Sequence, residues 1–121
     1  MIEALTGFQD NIVAFACHGR VTKTDYESVV VPAIEAALAR HDKVRVYYEI
    51  GTDFQAIDPM AVWEDIKVGL GHLPHWERIA VVSDIAWIRQ TMEAFRFLVP
   101  GEMKFFPVTE KAAAQSWIAA A

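Results

Sequence analysis

The chain has 121 residues, of which 54% are hydrophobic and 22% are charged. This length predicts a single domain over residues 1–121, and this hydrophobic content excludes a disordered chain. The net charge of −5, with no basic stripe along the sequence, excludes nucleic-acid binding of the usual electrostatic kind. The one cysteine, Cys17, excludes an intrachain disulfide, and no apolar run is long enough to cross a membrane. Together with an N-terminal stretch unlike a signal peptide, these features predict a cytoplasmic protein.

The N-terminal segments predict a hairpin. Ile2–Leu5 and Ile12–His18 have the composition of short strands, and Gly19 marks the end of the second. Because only a short turn connects the two strands, they are expected to pair in the antiparallel direction.

A helix is predicted after this hairpin. It begins at Thr22 or Thr24, with Glu27 three residues past Thr24 as a capping box requires, and it runs to Arg40. Pro32 lies inside this helix, and an interior proline removes a hydrogen bond and clashes with the preceding turn. We therefore expect a bend or a break just before Pro32.

The remaining segments alternate between strands and helices. A strand at Val44–Ile50 precedes a polar loop at Gly51–Asp58, and Asp58 is placed to cap the next helix. The next helix has Met60, Trp63, Ile66, Leu70 and Leu73 on one stripe, and a strand buried on both faces follows at Arg78–Ser83. A further helix has Ile88, Met92 and Phe95 on one stripe, and it leads to a strand at Met103–Val108. The final helix, at Glu110–Ala120, has Ala113, Trp117 and Ala120 facing inward. Strands that alternate with helices pair in parallel through right-handed crossovers. The order therefore predicts an α/β layered fold, in which an antiparallel hairpin is followed by βαβα units that form a mostly parallel sheet with helices packed on it.

Several sequence motifs resemble those of a known family. They are Trp63-Glu64-Asp65, the run HWERIAVVSD from His75 to Asp84, the aromatic helix from Trp87 to Phe97, the run PGEMKFFP from Pro100 to Pro107, and Trp117. With the order of elements along essentially the whole chain, these motifs resemble the SpoIIAA-like, or STAS-type, domain. The closer resemblance is to its branch of small stand-alone bacterial proteins.

This resemblance has two implications for function. The best-known members of the wider family are anti-sigma-factor antagonists, which carry a phosphorylatable serine at the N-terminus of the helix after the third strand. The corresponding residues here are Asp58, Pro59 and Met60; the last two cannot accept phosphate, and Thr52, outside the motif, is the nearest hydroxyl. The stand-alone branch is also similar to CRAL-TRIO-type lipid-binding folds, which implies an apolar ligand or a membrane surface, often with dimers.

Aromatic and methionine side chains between Asp58 and Phe106 are more numerous than two amphipathic helices need. Packing on the sheet explains those on the helical stripes, but Trp87 and Phe97 lie off these stripes. The candidate interface or apolar-ligand surface is therefore Met60, Trp63, Trp87, Met92 and Phe97. We expect a non-enzymatic STAS-like module that forms a homodimer and binds an apolar small molecule or lies peripherally on a membrane surface. The alternative is a regulator that binds a protein partner.

No residue pattern predicts a catalytic site, a metal site or a cofactor. His72 and His75 have the spacing of a helical metal pair, but Pro74 separates them and no third ligand is near, which favours surface or capping roles. Cys17 and His18 are neighbours in a strand and so face opposite sides, which prevents them from acting as a nucleophile and its base.

Three carboxylates are predicted at or beyond the end of the third strand, where open α/β sheets bind ligands. They are Glu49, Asp53 and Asp58. Thr52, Asp53 and Asp58 accordingly form a candidate functional loop. A turn role for Asp53 and a capping role for Asp58 explain the same residues without any chemistry.

Overall fold

A computed structural model of the chain describes residues 1–58, 60–61, 67, 71, 73–96 and 101–121. In chain order the elements are β1 (Ile2–Ala4), β2 (Ile12–Val21), α1 (Lys23–Asp25), a π-helical turn (Tyr26–Val30), α2 (Val31–Arg40), β3 (Val44–Ile57), a 3-10 turn (Leu73–His75), β4 (Trp76–Ser83), α3 (Ala86–Phe95), β5 (Glu102–Phe106), a 3-10 turn (Val108–Glu110) and α4 (Lys111–Ala119). Residues 60, 61, 67 and 71, between β3 and β4, are also helical.

The described strands form one sheet in the order β1-β2-β3-β4-β5. β1 pairs with β2 in the antiparallel direction, with Ile2 opposite Cys17, and every later pair of neighbours is parallel. This topology confirms the predicted α/β fold, with its N-terminal hairpin and its mostly parallel sheet.

The predicted irregularity before Pro32 takes the form of a π-helical turn. α1 and α2 join through Tyr26–Val30, and Pro32 lies in the first turn of α2, where its missing N–H is tolerated. The N-cap is Thr22, whose capping box is completed by Asp25 and not by Glu27. The prediction of Glu27 is wrong because the helix begins two residues earlier than Thr24 would place it.

The strand bounds differ from the prediction by one or two residues in β1, β4 and β5, where Val108 lies in a 3-10 turn and not in the strand, and by more in β2 and β3. β2 continues past Gly19 to Val21, and β3 continues through the predicted polar loop to Ile57. The two extensions pair with each other, so that Val21 lies opposite Ile57. Because this partner satisfies the backbone of β3, a segment with polar side chains is held as a strand.

The sheet buries side chains on both faces. The first face is covered by α2 and α3, whose Ile34 and Ile88 are buried against β2, β3 and β4. The second face is covered by α4 and contains the smaller core cluster of Ile12, Ala14, Tyr47, Ala80, Val82, Ala114 and Ile118. β4 is therefore buried on both faces, as its apolar run predicts.

The inward face of the last helix differs from the prediction. Ala114 and Ile118 are fully buried, whereas Ala113 and Ala120 are exposed and Trp117 is only half-buried. The predicted and observed stripes are neighbours on the same helix, and in an alanine-rich sequence both are apolar, so the pattern does not separate them. The single-helix pattern from Glu110 therefore predicted the wrong face.

Two arginines hold the C-terminal end of α4 on the second face. Arg45, on β3, donates to the carbonyl oxygens of Ile118 and Ala120, and Arg78, on β4, donates to those of Trp117 and Ala120. A positive charge at this end complements the helix dipole and satisfies carbonyls that have no partner within the helix. This contact fixes which residues of α4 face the sheet.

Candidate apolar binding site

An apolar pocket of about 90 Å³ lies on the first face of the sheet. Its walls come from the π-helical turn, from the C-terminal parts of β2 and β3, and from α3. The residues that decide its character are Cys17, Tyr26, Tyr48, Phe54, Trp87 and Met92. This is the end of a parallel sheet at which ligands of open α/β folds bind.

Trp87 forms the rim of this pocket. Its side chain is 49% exposed, whereas the next residue, Ile88, is 6% exposed and faces the core. The ring of Trp87 lies 6.2 Å from that of Phe54, at 44° between their planes. The pocket is therefore bounded at its mouth by two aromatic rings, one from α3 and one from β3.

The floor of the pocket is buried. Tyr26 is 4% exposed and Cys17 is 5% exposed. Tyr26 reaches the pocket because it begins the π-helical turn, so the irregularity associated with Pro32 places an aromatic side chain in the wall. π-Turns within helices occur frequently at functional sites.

The structure describes three of the five residues predicted as an interface or ligand surface. Trp87 and Met92 line the pocket, with Met92 half-buried. Met60 is 48% exposed and is not part of the pocket lining. Trp63 and Phe97 lie outside the described residues.

Sequence reasoning missed the contribution of β2, β3 and the π-helical turn. The sequence contains a signal for β3, because Phe54 and Ile57 are apolar within the stretch predicted to be a polar loop. Pro32 indicated an irregularity in this helix but not which side chain that irregularity places in the pocket, so the contribution of Tyr26 had no signal of its own.

Of the predicted functional loop, Thr52 and Asp53 lie within β3 and Asp58 directly follows it, and the two carboxylates have different partners. Asp53 lies within β3, and its Oδ2 is 2.6 Å from the Nδ1 of His18. Asp58 follows the strand, and its Oδ1 accepts from the backbone N–H of Met60 at 3.0 Å, as its capping role predicts. Thr52 is exposed beside Asp53.

Glu49 lies on the second face of the sheet, which α4 covers. Its carboxylate accepts from the hydroxyl of Tyr47 at 2.9 Å and lies 3.6 Å from the Nζ of Lys111, on α4. Burial raises the pKa of the Tyr47 hydroxyl, and the neighbouring Glu49 raises it further. Glu49 is therefore part of the contact between α4 and the sheet, separate from Asp53 and Asp58.

His18, the sequence neighbour of the pocket residue Cys17, lies between two carboxylates. Its Nδ1 faces Asp53 at 2.6 Å, and its Nε2 faces Oε1 of Glu3, on β1, at 3.1 Å. The hydrogen bond with Asp53, followed by that with Glu3, raises the pKa of the His18 imidazole above its usual value. Cys17 lines the pocket while His18 contacts these carboxylates, so the two neighbours have different surroundings, as alternation along a strand requires.

Within the described residues, no group of three or more histidine, cysteine, aspartate or glutamate side chains is placed to hold a metal ion. His75 places its Nδ1 2.7 Å from the carbonyl oxygen of Asp42, and His72 lies outside the described residues. Of the helices that the structure describes, none is both long and apolar enough to cross a bilayer.

Comparison with known proteins places this fold in a family. The SpoIIAA-like family model matches residues 12–119, and the chain belongs to this family. The chain is 28% identical in sequence to a protein from Shewanella loihica PV-4, described as an uncharacterized protein from the DUF3478 family with a SpoIIAA-like fold. The two structures superpose with a TM-score of 0.71, over 98% of this chain and 92% of that chain. No curated protein gives a significant match.

Proposed function

We propose that this protein is a non-enzymatic STAS-like binding module that holds one small apolar group in the pocket beneath Trp87. The observation that carries this proposal is the pocket itself, whose aromatic, aliphatic and sulfur side chains surround a space next to a half-exposed tryptophan. Such side chains favour an apolar ligand through burial of its surface and through ring stacking.

The size of the pocket limits the ligand. Drug-sized molecules occupy pockets of about 300–1,000 Å³, and an apolar cavity of about 150 Å³ accepts benzene. At about 90 Å³ the pocket holds a short branched chain or part of a ring, with the remainder of the molecule outside the mouth. The proposed ligand is therefore an apolar end group of a larger molecule, not a whole lipid chain enclosed in the protein.

Benzyl alcohol and lauric acid distinguish these two sizes of ligand. We expect benzyl alcohol to shift the NMR signals of residues around the pocket in a saturable way, with a Kd of about 1–10 mM. Lauric acid is expected to bind no more tightly than benzyl alcohol, because most of its chain stays in water. Much tighter binding of lauric acid, or no saturable shift with benzyl alcohol, would contradict the proposal.

Three variants locate the site. Trp87→Ala removes the rim and Met92→Trp fills the pocket, so each is expected to weaken benzyl alcohol binding at least about tenfold, or about 1.4 kcal/mol. Met60→Ala is the matched control, because Met60 is exposed to almost the same extent as Trp87 but does not line the pocket. Equal affinity in all three variants would place the binding elsewhere.

Homodimer formation is a second candidate role for the same surface. Trp87 and Met60 are each about half exposed, and exposed large apolar side chains are enriched at protein interfaces. Trp87→Asp is expected to convert a dimer to a monomer in sedimentation velocity experiments, whereas Ser116→Asp on the exposed side of α4 leaves it dimeric. A parent protein that sediments as a strict monomer would eliminate this role.

Membrane association and partner regulation stay alternatives within the proposal, in a cytoplasmic setting. Retention on phosphatidylcholine vesicles that is lost in Trp87→Asp would support peripheral attachment through the rim. Phosphate on the exposed Thr52 after incubation with a cognate kinase, found by mass spectrometry, would support the regulatory role. An unmodified Thr52 would remove that support.

A further inference from the structure

The pairing of β2 with β3 is irregular next to the pocket. Cys17 lies opposite Ile50, but the next pair is Gly19 opposite Phe54, so one residue on β2 spans the same distance as three on β3. Gly19 has a φ of 54°, which an L side chain rarely adopts. The regular ladder is therefore interrupted at Gly51–Asp53, immediately before the pocket residue Phe54.

A side-chain bridge spans this interruption. His18, the single β2 residue opposite the bulge, contacts Asp53 on β3 with one ring nitrogen and Glu3 on β1 with the other. The bridge thus connects three neighbouring strands at the place where the ladder is interrupted.

Only the protonated imidazole satisfies this arrangement. Ionised carboxylates accept hydrogen bonds but cannot donate them, and a neutral imidazole has one N–H donor and one acceptor nitrogen. At 2.6 and 3.1 Å both nitrogens of His18 face carboxylate oxygens, so both must donate. Loss of the proton leaves one nitrogen lone pair opposed to a carboxylate.

We propose that His18 is a proton-operated latch that holds the bulged part of β3 against β2 and thereby sets the position of Phe54 in the pocket wall. With His18 protonated, the bulge is closed and the wall is fixed. With His18 neutral, the carboxylates of Asp53 and Glu3 compete for its single N–H donor, so the bridge to Asp53 is made only part of the time, the bulge opens more often, and the pocket loses a fixed aromatic wall. The effect on ligand affinity rests on the proposed function, whereas the latch itself does not.

The charges around His18 favour its protonated form. Asp53 and Glu3 face its ring, and the hydrogen bonds to them raise the pKa of His18. The amino group of Met1 donates to the main-chain carbonyl of His18, away from the ring, and pairs with Asp25 at 3.4 Å. Because the folded-state pKa is raised, the latch is complete below the usual histidine pKa and is lost as pH rises through the raised value.

The experiment is an NMR titration of the imidazoles combined with amide hydrogen exchange of residues 51–57. We expect His18 to titrate above the usual value of about 6.5, and its pKa to fall in Asp53→Asn. Protection factors of residues 51–57, corrected for intrinsic exchange, should drop about threefold to tenfold between about pH 5.5 and about pH 9. His18→Gln should show low protection at every pH.

His41→Gln is the matched control. His41 lies against Asp10 at 2.7 Å and has a side-chain exposure of 33%, close to the 35% of His18, but the pair is in another part of the chain. This variant should retain the pH dependence at residues 51–57. Unchanged protection across the pH range in the parent, or low protection at every pH in His41→Gln, as expected for His18→Gln, would overturn the latch.

Benzyl alcohol affinity, measured at the same pH values, separates the two proposals. Affinity that falls with rising pH in the parent but not in His18→Gln supports coupling of the latch to the pocket. Affinity independent of pH, alongside changing protection, overturns that coupling. If benzyl alcohol does not bind at any pH, the proposed function fails, and the exchange data still decide whether the latch exists.

Discussion

Ile118 tests the register of α4 on the second face of the sheet. Its side chain is fully buried against the cluster that contains Tyr47, Ala80 and Val82. Ile118→Ala removes the equivalent of about three methylene groups, or about 2.4 kcal/mol at about 0.8 kcal/mol each. The cavity left behind adds to this transfer cost, so we expect a loss of about 3–4 kcal/mol in the free energy of unfolding.

Urea unfolding followed by circular dichroism measures this loss, with the slope against urea checked for constancy. Ser116→Ala is the control in the same helix, because Ser116 is exposed and its substitution should change stability by less than about 0.5 kcal/mol. A loss below about 1 kcal/mol for Ile118→Ala, with an unchanged slope, would refute the burial argument.

A pair of neighbouring alanines tests the same register with the opposite perturbation. Ala114 is fully buried and Ala113 is exposed. Ala114→Leu should therefore overpack the second face and cost about 1–3 kcal/mol, while Ala113→Leu is tolerated. The register expected from the sequence alone requires the reverse order, so the comparison decides between them.

Three further substitutions test local features of the fold by the same urea assay. Gly19→Ala should cost about 1–2 kcal/mol from backbone conformation alone, since its added Cβ would meet no atom within 4 Å; no measurable cost would contradict the left-handed φ. Thr22→Ala should cost about 1 kcal/mol. Burial raises the pKa of Asp25, but the hydrogen bonds from Thr22 oppose it and the net pKa is lowered. The stability cost of Thr22→Ala should therefore shrink as pH falls below about 4. A cost that does not change with pH would count against the capping box. Arg45→Met should cost about 2–3 kcal/mol, because it removes the contacts with Glu77 and with the last carbonyls of α4; a neutral result would mean that these contacts do not hold the helix.

The exposed contact between Asp10 and His41 depends on pH in a different way from the His18 latch. His41 and Arg40 lower the pKa of Asp10 through hydrogen bonds, so their contribution is present at neutral pH and is lost on acidification. The contribution of the His18 latch is instead lost as pH rises.

Local sequence patterns determined the element order and the sheet topology. The apolar run of β4, the hairpin spacing of β1 and β2, and the conflict between Pro32 and a regular helix each depend on neighbouring residues, so each could be read directly. The half exposure of Trp87 also follows from its position off the stripe that contains Ile88.

The tertiary structure alone decided where β3 ends and which face α4 buries. Gly51–Ile57 is polar enough for a loop, and only its pairing with the extended β2 makes it a strand. The site depends on the same long-range pairing, because it brings Phe54 to Trp87 and Asp53 to His18 across large separations in sequence. Residue patterns report the preferences of a segment, whereas the partner that satisfies its backbone and side chains is chosen by the packing of the whole chain.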